Sequence, residues 1–386
     1  MRRRACLWWA AVCAGVTLGW WSLTVRFNYG GNWTALYCTG DRWSVPPALA
    51  SEKVYVFAGS HGFDGQFYHY IAHDPLLRQG LWKHIDAPRY RYRRILLPGL
   101  AYLAATGQAR WIDAAYRLVT LGFVFLGAYW LGRHTDRHLG QPAWGLAFAL
   151  APAVLVSIDR LTVDTALAAL CVGYLYYARA GPSWERYTVL VAAGLSRETG
   201  LLLVAACCGA ALLRREWVRA AVFSTAALPA LAWYLYVEAQ APAGASVSLS
   251  WIPFSGLLDR LLHPPSYPLA GPVLWLAHGL DYLAVAAVWL ALALVARLAF
   301  RQKPGPLEMS ALLFALLALG LGPGDAWESV FSFGRTLTPL LLLLALEGLA
   351  LGSWLALLPA AMVGPRILLQ LAPQALGILR GLAGLA

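Results

Sequence analysis

The sequence predicts an all-α protein, a polytopic bundle of membrane-spanning helices, on three observations. Hydrophobic residues fill 60% of its 386 positions and charged residues only 13%, against roughly 25% charged in a soluble domain. Leu- and Ala-rich runs of about 17–25 residues recur along the chain, the length a helix needs to cross the hydrocarbon layer. Basic residues gather where these runs end, and 18 Trp and 18 Tyr supply aromatic belts for the two interfaces. The net charge of +11 is therefore read as topology, not as a footprint for nucleic acid. Six cysteines, five of them in apolar segments, show no metal-ligand spacing and no disulfide framework.

Met1-Arg2-Arg3-Arg4 precedes an apolar run with no small-x-small cleavage site, so residues 6–24 read as an uncleaved first span with a cytoplasmic N-terminus. Residues 25–93 form a long polar outer loop holding Asp41, Glu52, His61, Asp64, His69, His73, Asp74 and Asp86. Residues 95–107 are apolar but short. If they crossed, His134, Arg137 and His138 would fall outside, against the positive-inside rule, so they are placed along the interface. Spans then follow at about 112–132, 142–158 and 165–179. A broken pair, 187–196 and 200–213, meets at the polar hinge Ser196-Arg197-Glu198-Thr199. Further spans lie at about 218–237, 273–299 (leading in to Arg301 and Lys303), 307–321 and 336–352, with a last crossing in the apolar tail after Trp354. The expected total is about eleven spans in one domain, residues 1–386, without internal repeat.

This topology collects charges on the outer side that the positive-inside rule does not explain: Asp64, Arg89 to Arg94, Asp159, Arg160, Asp164, Arg197, Glu198 and Arg335. Asp64, in Gly62-Phe63-Asp64-Gly65-Gln66-Phe67-Tyr68, is either a turn or helix-cap residue or a partly buried carboxylate that acts as general base. The run Arg89-Tyr90-Arg91-Tyr92-Arg93-Arg94 either anchors to lipid phosphate or clamps a phosphate leaving group, for which guanidinium forks are suited. Asp159 and Asp164 pair with Arg160 or position a substrate, and the Arg197–Glu198 hinge is a structural pair or a cavity lining. Arg335 opposes the dipole at the outer end of a helix, which a bound anion would relieve. His61, His69 and His73 are either metal ligands or interfacial and hydrogen-bonding residues; the second is expected, because no clear ligand set closes around them.

Residues 1–240 resemble the GT-C superfamily of integral-membrane glycosyltransferases, with a large first outer loop carrying an acid and interfacial helices. Residues 241–386 are left as variable C-terminal helices. Asp64 matches the first-loop acid and Asp159 or Asp164 the acid after the third span. The stretch Phe63-Asp64-Gly65-Gln66-Phe67-Tyr68 with Arg91-Tyr92-Arg93-Arg94-Ile95-Leu96-Leu97-Pro98 looks like that of bacterial proteins linked to cell-surface glycopolymer formation.

The resemblance implies a polyprenyl-phosphate-linked sugar donor, a glycan or lipid acceptor and an inverting transfer on the extracytoplasmic side of a bacterial inner membrane. Asp64 would be the base. Gln66, Tyr68, Arg91, Tyr92, Arg93, Arg94, Asp159, Arg160, Asp164, Arg197, Glu198 and Arg335 would bind substrate. Many members carry two adjacent acids in the first loop; Asp64 stands alone, which disfavours a divalent metal cofactor. The rival expectations are a flippase for a lipid-linked sugar and a non-catalytic subunit of a polysaccharide assembly complex.

Overall fold

The computed structural model describes residues 2–180, 183–242, 249–299 and 304–384. Arg301, Lys303 and part of the loop 239–271 lie outside the described residues. The helices, in chain order, begin with α1 (Arg2–Asn28), α2 (Asp64–His73), α3 (Pro88–Tyr92), α4 (Leu96–Ala104) and α5 (Ala109–Leu139). Next come α6 (Pro152–Arg160), α7 (Asp164–Ala180), α8 (Ser183–Ser196), α9 (Leu201–Leu213), α10 (Trp217–Ser224) and α11 (Leu228–Gln240). The series ends with α12 (Ser255–Leu262), α13 (Gly271–Ala299), α14 (Pro306–Gly320), α15 (Val330–Leu351), α16 (Leu358–Gln370) and α17 (Ala372–Leu382). One short parallel pairing, Thr39–Gly40 with Val56–Phe57, ties the polar loop 25–93 to itself.

Five helical segments are long and apolar enough to cross a membrane: Arg3–Asn28, Ala109–Leu139, Trp217–Gln240, Gly271–Leu298 and Val330–Leu351. Two bent pairs raise the number to seven if each is one span. The protein is therefore an α-helical membrane protein with five to seven candidate spans among the described residues. Its long helices turn large apolar side chains outward: Trp8 is 65% exposed, Leu235 71% and Trp275 77%. On a water-soluble surface such side chains would form a sticky patch; against acyl chains they cost nothing, because lipid is as apolar as Leu.

Local chemistry accounts for the breaks. The expected span 142–158 is bent by 62° between a 3₁₀ segment, Pro142–Leu150, and α6. Pro152 excludes the helical conformation from the residue before it, and Ala151 is extended accordingly (φ −62°, ψ 137°). The polar hinge after α8 does break the chain: Arg197 is extended (φ −164°, ψ 150°) and a 3₁₀ turn, Glu198–Gly200, leads into α9. α4 has nine residues, about 14 Å of helix at 1.5 Å per residue, too short to cross and in keeping with an interfacial position.

Close helix packing relies on small residues, as is usual in membranes. A Cβ on Gly127 would stand 2.2 Å from the Phe148 ring, and one on Gly145 would stand 2.5 Å from the Ala128 carbonyl oxygen. The same logic shapes the Asp64 loop. Gly62 has φ +71°, and a Cβ on Gly65 would lie 2.0 Å from the Arg160 carbonyl oxygen. Only glycine lets the start of α2 come this close to the end of α6.

Candidate functional site

α2 begins at Asp64 after an extended Phe63 (φ −143°, ψ 172°), which places an acid in the first helical turn, where the dipole favours it. The Asp64 side chain is 15% exposed and points into a nest of guanidinium groups. Its Oδ2 lies 2.9 Å from Arg91 Nη1 and 2.7 Å from Arg335 Nη1. Arg91 comes from α3 in the polar loop 25–93 and Arg335 from α15, so the carboxylate joins two segments about 240 residues apart in sequence.

The network extends through both arginines. Asp86 grips Arg91 in a bidentate pair at 3.0 and 2.8 Å. Arg335 Nη1 lies 3.5 Å from Asp164 Oδ2 at the start of α7. Asp164 pairs through its other oxygen with Arg197, which also donates to Thr336 Oγ1 at 3.0 Å. Arg94 meets Glu198 at 3.2 Å and donates to the Tyr68 hydroxyl at 2.9 Å. Four guanidiniums (Arg91, Arg94, Arg197, Arg335) thus face four carboxylates (Asp64, Asp86, Asp164, Glu198). The hydrogen bonding is incomplete on both sides: Arg197 Nε and Arg335 Nε, and also Asp164 Oδ2 and Glu198 Oε1, are buried without a hydrogen-bond partner among the described residues. A site with spare, immobilised N–H donors is suited to an incoming anion.

Burial alone would push the Asp64 carboxyl up, but Arg335 and Arg91 override it and hold it well below the usual carboxylate range. At rest Asp64 is an ionised, paired group.

The structure brings Asp64, Tyr68, Arg91, Arg94, Asp164, Arg197, Glu198 and Arg335 together. The other expected substrate-binding residues are engaged elsewhere. Gln66 is 1% exposed, and both ends of its amide hold the loop: Nε2 donates to the His61 carbonyl at 2.9 Å and Oε1 accepts from Gly40 N–H at 3.2 Å. Arg93 turns away to Glu238 at 3.1 Å and stacks over Tyr234, and Arg89 joins it on Glu238 at 2.6 Å. Tyr92 is buried in the core, its backbone carbonyl accepting from the Trp233 indole N–H at 2.7 Å.

Asp159 pairs with its neighbour Arg160 at 3.1 Å and accepts from Gln374 at 2.9 Å. Of the two acids that could answer Asp64, Asp164 is the one that shares Arg335 with it. Arg160 stays at the rim, its guanidinium 4.3 Å from the Phe63 ring centre. Asp41 and Asp74, also prominent in the polar loop 25–93, satisfy backbone N–H groups of nearby turns (Gly59 at 2.7 Å, Arg78 at 2.7 Å).

Asp86 and Glu238 are the partners the sequence reading did not assign. An acid five residues before Arg91 was a visible signal for the first; nothing in the sequence marked the second.

A second cluster lies further along α2. His69 and His73, four residues apart and so on one helical face, meet Glu52 and Asp113; one donor atom from each falls within 4.8 Å of all the others. Burial alone would lower the His69 imidazole, but the Asp113 and Glu52 carboxylates push it up to about 9. His61 is not part of this group.

An apolar groove of about 510 Å³ runs between α1 and the 142–150 segment, lined by Cys13, Val16, Trp144 and Leu150 among others. It is separate from both charged clusters and suits lipid chains. A scan of family models found no match to this chain, and neither the curated proteins nor the solved structures held one.

Proposed function

We propose that the protein is an inverting glycosyltransferase of the extracytoplasmic face of a bacterial inner membrane. The donor is a polyprenyl-phosphate-linked sugar and the acceptor a cell-surface glycan or lipid. The observation that carries this reading is the convergence on Asp64 of Arg91 and Arg335, with unpaired guanidinium N–H groups beside it. The reading keeps the GT-C-like arrangement of about eleven spans, with the shorter helices α7, α8, α9 and α14 making up the difference from the longer candidates.

The chemistry asks two things of the cluster. The acceptor hydroxyl or amine attacks the anomeric carbon, the bond from that carbon to the phosphate oxygen breaks, and the lipid phosphate leaves with the electron pair. A base takes the acceptor proton, and cations meet the charge that grows on the phosphate. Asp64 is a weak base while two guanidiniums hold it. A lipid phosphate entering the cluster competes for Arg91 and Arg335, loosening their hold and raising the basicity of Asp64 as the donor binds. The resting ion pairs then keep the base silent until a donor is present. Asp164 and Glu198 hold Arg197 and Arg94 in place from behind.

The test is reconstitution in liposomes with a polyprenyl-phosphate sugar, following release of free polyprenyl phosphate. Asp64→Asn, compared at equal amounts of monodisperse protein, loses about 10²–10⁴-fold in turnover, the range for removal of a general base. Near-normal release by that variant sinks the assignment. Movement of intact donor between leaflets without release supports the flippase reading instead.

A further inference from the structure

We infer that Glu52, His69, His73 and Asp113 form a structural binding site for a divalent transition-metal ion, zinc being the best fit. The site shares no residue with the Asp64 cluster and does not rest on the activity proposed for it.

The donor set is two imidazoles and two carboxylates, and the ligand atoms are grouped as a tetrahedral ion groups them. Bonds of about 2.0–2.2 Å to N and O in a tetrahedron put the ligand atoms about 3.3–3.6 Å from one another. His69 Nε2 lies 3.1 Å from Glu52 Oε2 and 3.0 Å from Asp113 Oδ1. His73 Nε2 lies 3.3 Å from Glu52 Oε1 and 4.0 Å from Asp113 Oδ1. These four separations straddle the tetrahedral edge, with Glu52 facing the two imidazoles through its two different oxygens.

Hydrogen bonding alone leaves this arrangement unexplained. His73 is 5% exposed, and its Nε2, aimed at the carboxylates, has no hydrogen-bond partner of acceptable geometry among the described residues. His69 Nε2 sits nearly equidistant from two carboxylates, although one ring N–H can point well at only one of them. Two imidazole nitrogens converging on a point between two carboxylates is what a shared cation requires.

The surroundings match those of a structural ion. The Tyr37 hydroxyl donates to Asp113 Oδ1 at 3.0 Å, and its ring stacks on His69 with centres 4.1 Å apart and planes 3° from parallel. A ligating carboxylate held by an outer hydrogen bond and a ligating ring held by stacking are the supports metal ligands need. Four protein ligands close the coordination sphere, which marks a structural rather than a catalytic ion. The ligands come from three separate stretches: the 3₁₀ turn Pro47–Glu52, α2, and the first turns of α5. The ion would pin the outer loop to a membrane-spanning helix and fix the helix that carries Asp64. His69 and His73 would be positioning residues.

The test uses the full chain with a tag that contains no histidine, purified in detergent, with metal content measured by mass spectrometry. Wild type is expected to hold about one zinc per chain. His73→Gln and Asp113→Asn, missing a ligand, should retain less than about a tenth of that. Chelation should lower the melting temperature of wild type, and zinc but not magnesium should restore it. Cobalt exchanged into the site should give the intense visible absorption of a tetrahedral ion. His73→Cys keeps a zinc ligand and guards against misfolding of the other variants: zinc retention by it supports the site, and loss of zinc from its folded form overturns it. Wild type that is metal-free and indifferent to added zinc also overturns the site. None of these readouts depends on sugar transfer, so this inference and the proposed function fail separately.

Discussion

The two ends of α2 carry opposite kinds of site. At its start Asp64 is outnumbered by guanidiniums, and the unpaired atoms around it include N–H donors. About one and a half to two and a half turns further on, His69 and His73 converge on two carboxylates, with a ring nitrogen left unbonded. The first end presents guanidinium N–H groups without partners, which suit an anion; the second offers lone pairs and suits a cation. One ten-residue helix separates them, so whatever holds the second end also sets the position of the first. The comparison separates residues that meet a substrate from residues that hold those in place.

The largest expected effect tests this division directly. Asp64→Asn should remove about 10²–10⁴-fold of turnover while leaving any bound metal at the wild-type level; loss of both would merge the two ends into one site.

Next is Asp164→Asn. Asp164 is 2% exposed and holds Arg197, itself 5% exposed. Removing one partner of a buried pair leaves the other charge uncompensated, a cost of about 3–5 kcal/mol, visible as a large drop in melting temperature in detergent. A small drop would mean that water already reaches Arg197, and that the anion end of the helix is open at rest.

The cation end should show itself in protein stripped of metal. The folded-state pKa of His69 is raised from 6.5 to about 9. The stability from its ion pairs is therefore fully present below about pH 6.5 and is lost as pH rises through about 9. Metal-loaded protein should behave oppositely over the lower part of this range, since imidazole must lose its proton to bind the ion. Melting curves between pH 6 and 10, with and without zinc, distinguish the two; identical pH dependence would erase the contrast.

The smallest effect is expected just outside the anion end. Arg93→Gln breaks a pair with Glu238 in which the side chains are 33% and 46% exposed, so stability should change by no more than about 1 kcal/mol.

Much of the anion cluster was legible in the sequence. Asp64, Arg91, Arg94, Asp164, Arg197, Glu198 and Arg335 stood out because a charge at the end of an apolar run is costly unless it is paired. Which members of the arginine run would join was not legible. Residues two apart on a helix point about 200° away from each other, so Arg91 and Arg93 cannot both face Asp64; the run had to be split by a packing partner, and Glu238 is that partner. The cation cluster was hidden for a related reason. Asp113 reads as one residue in the first turn of a span, and Glu52 as one acid in a polar loop; neither is near His69 or His73 in sequence.

The sequence alone determined that this chain is helical and lives in a membrane, that it breaks at the polar hinge 196–199, and which charges need an explanation. These follow from transfer free energies and backbone preferences, which are local properties of each segment. Tertiary structure alone decided which acid answers Asp64, which arginines reach it, and that two histidines meet two distant carboxylates. Those pairings join segments separated by many intervening residues, and they arise only when helix packing brings their ends to the same side of the bundle.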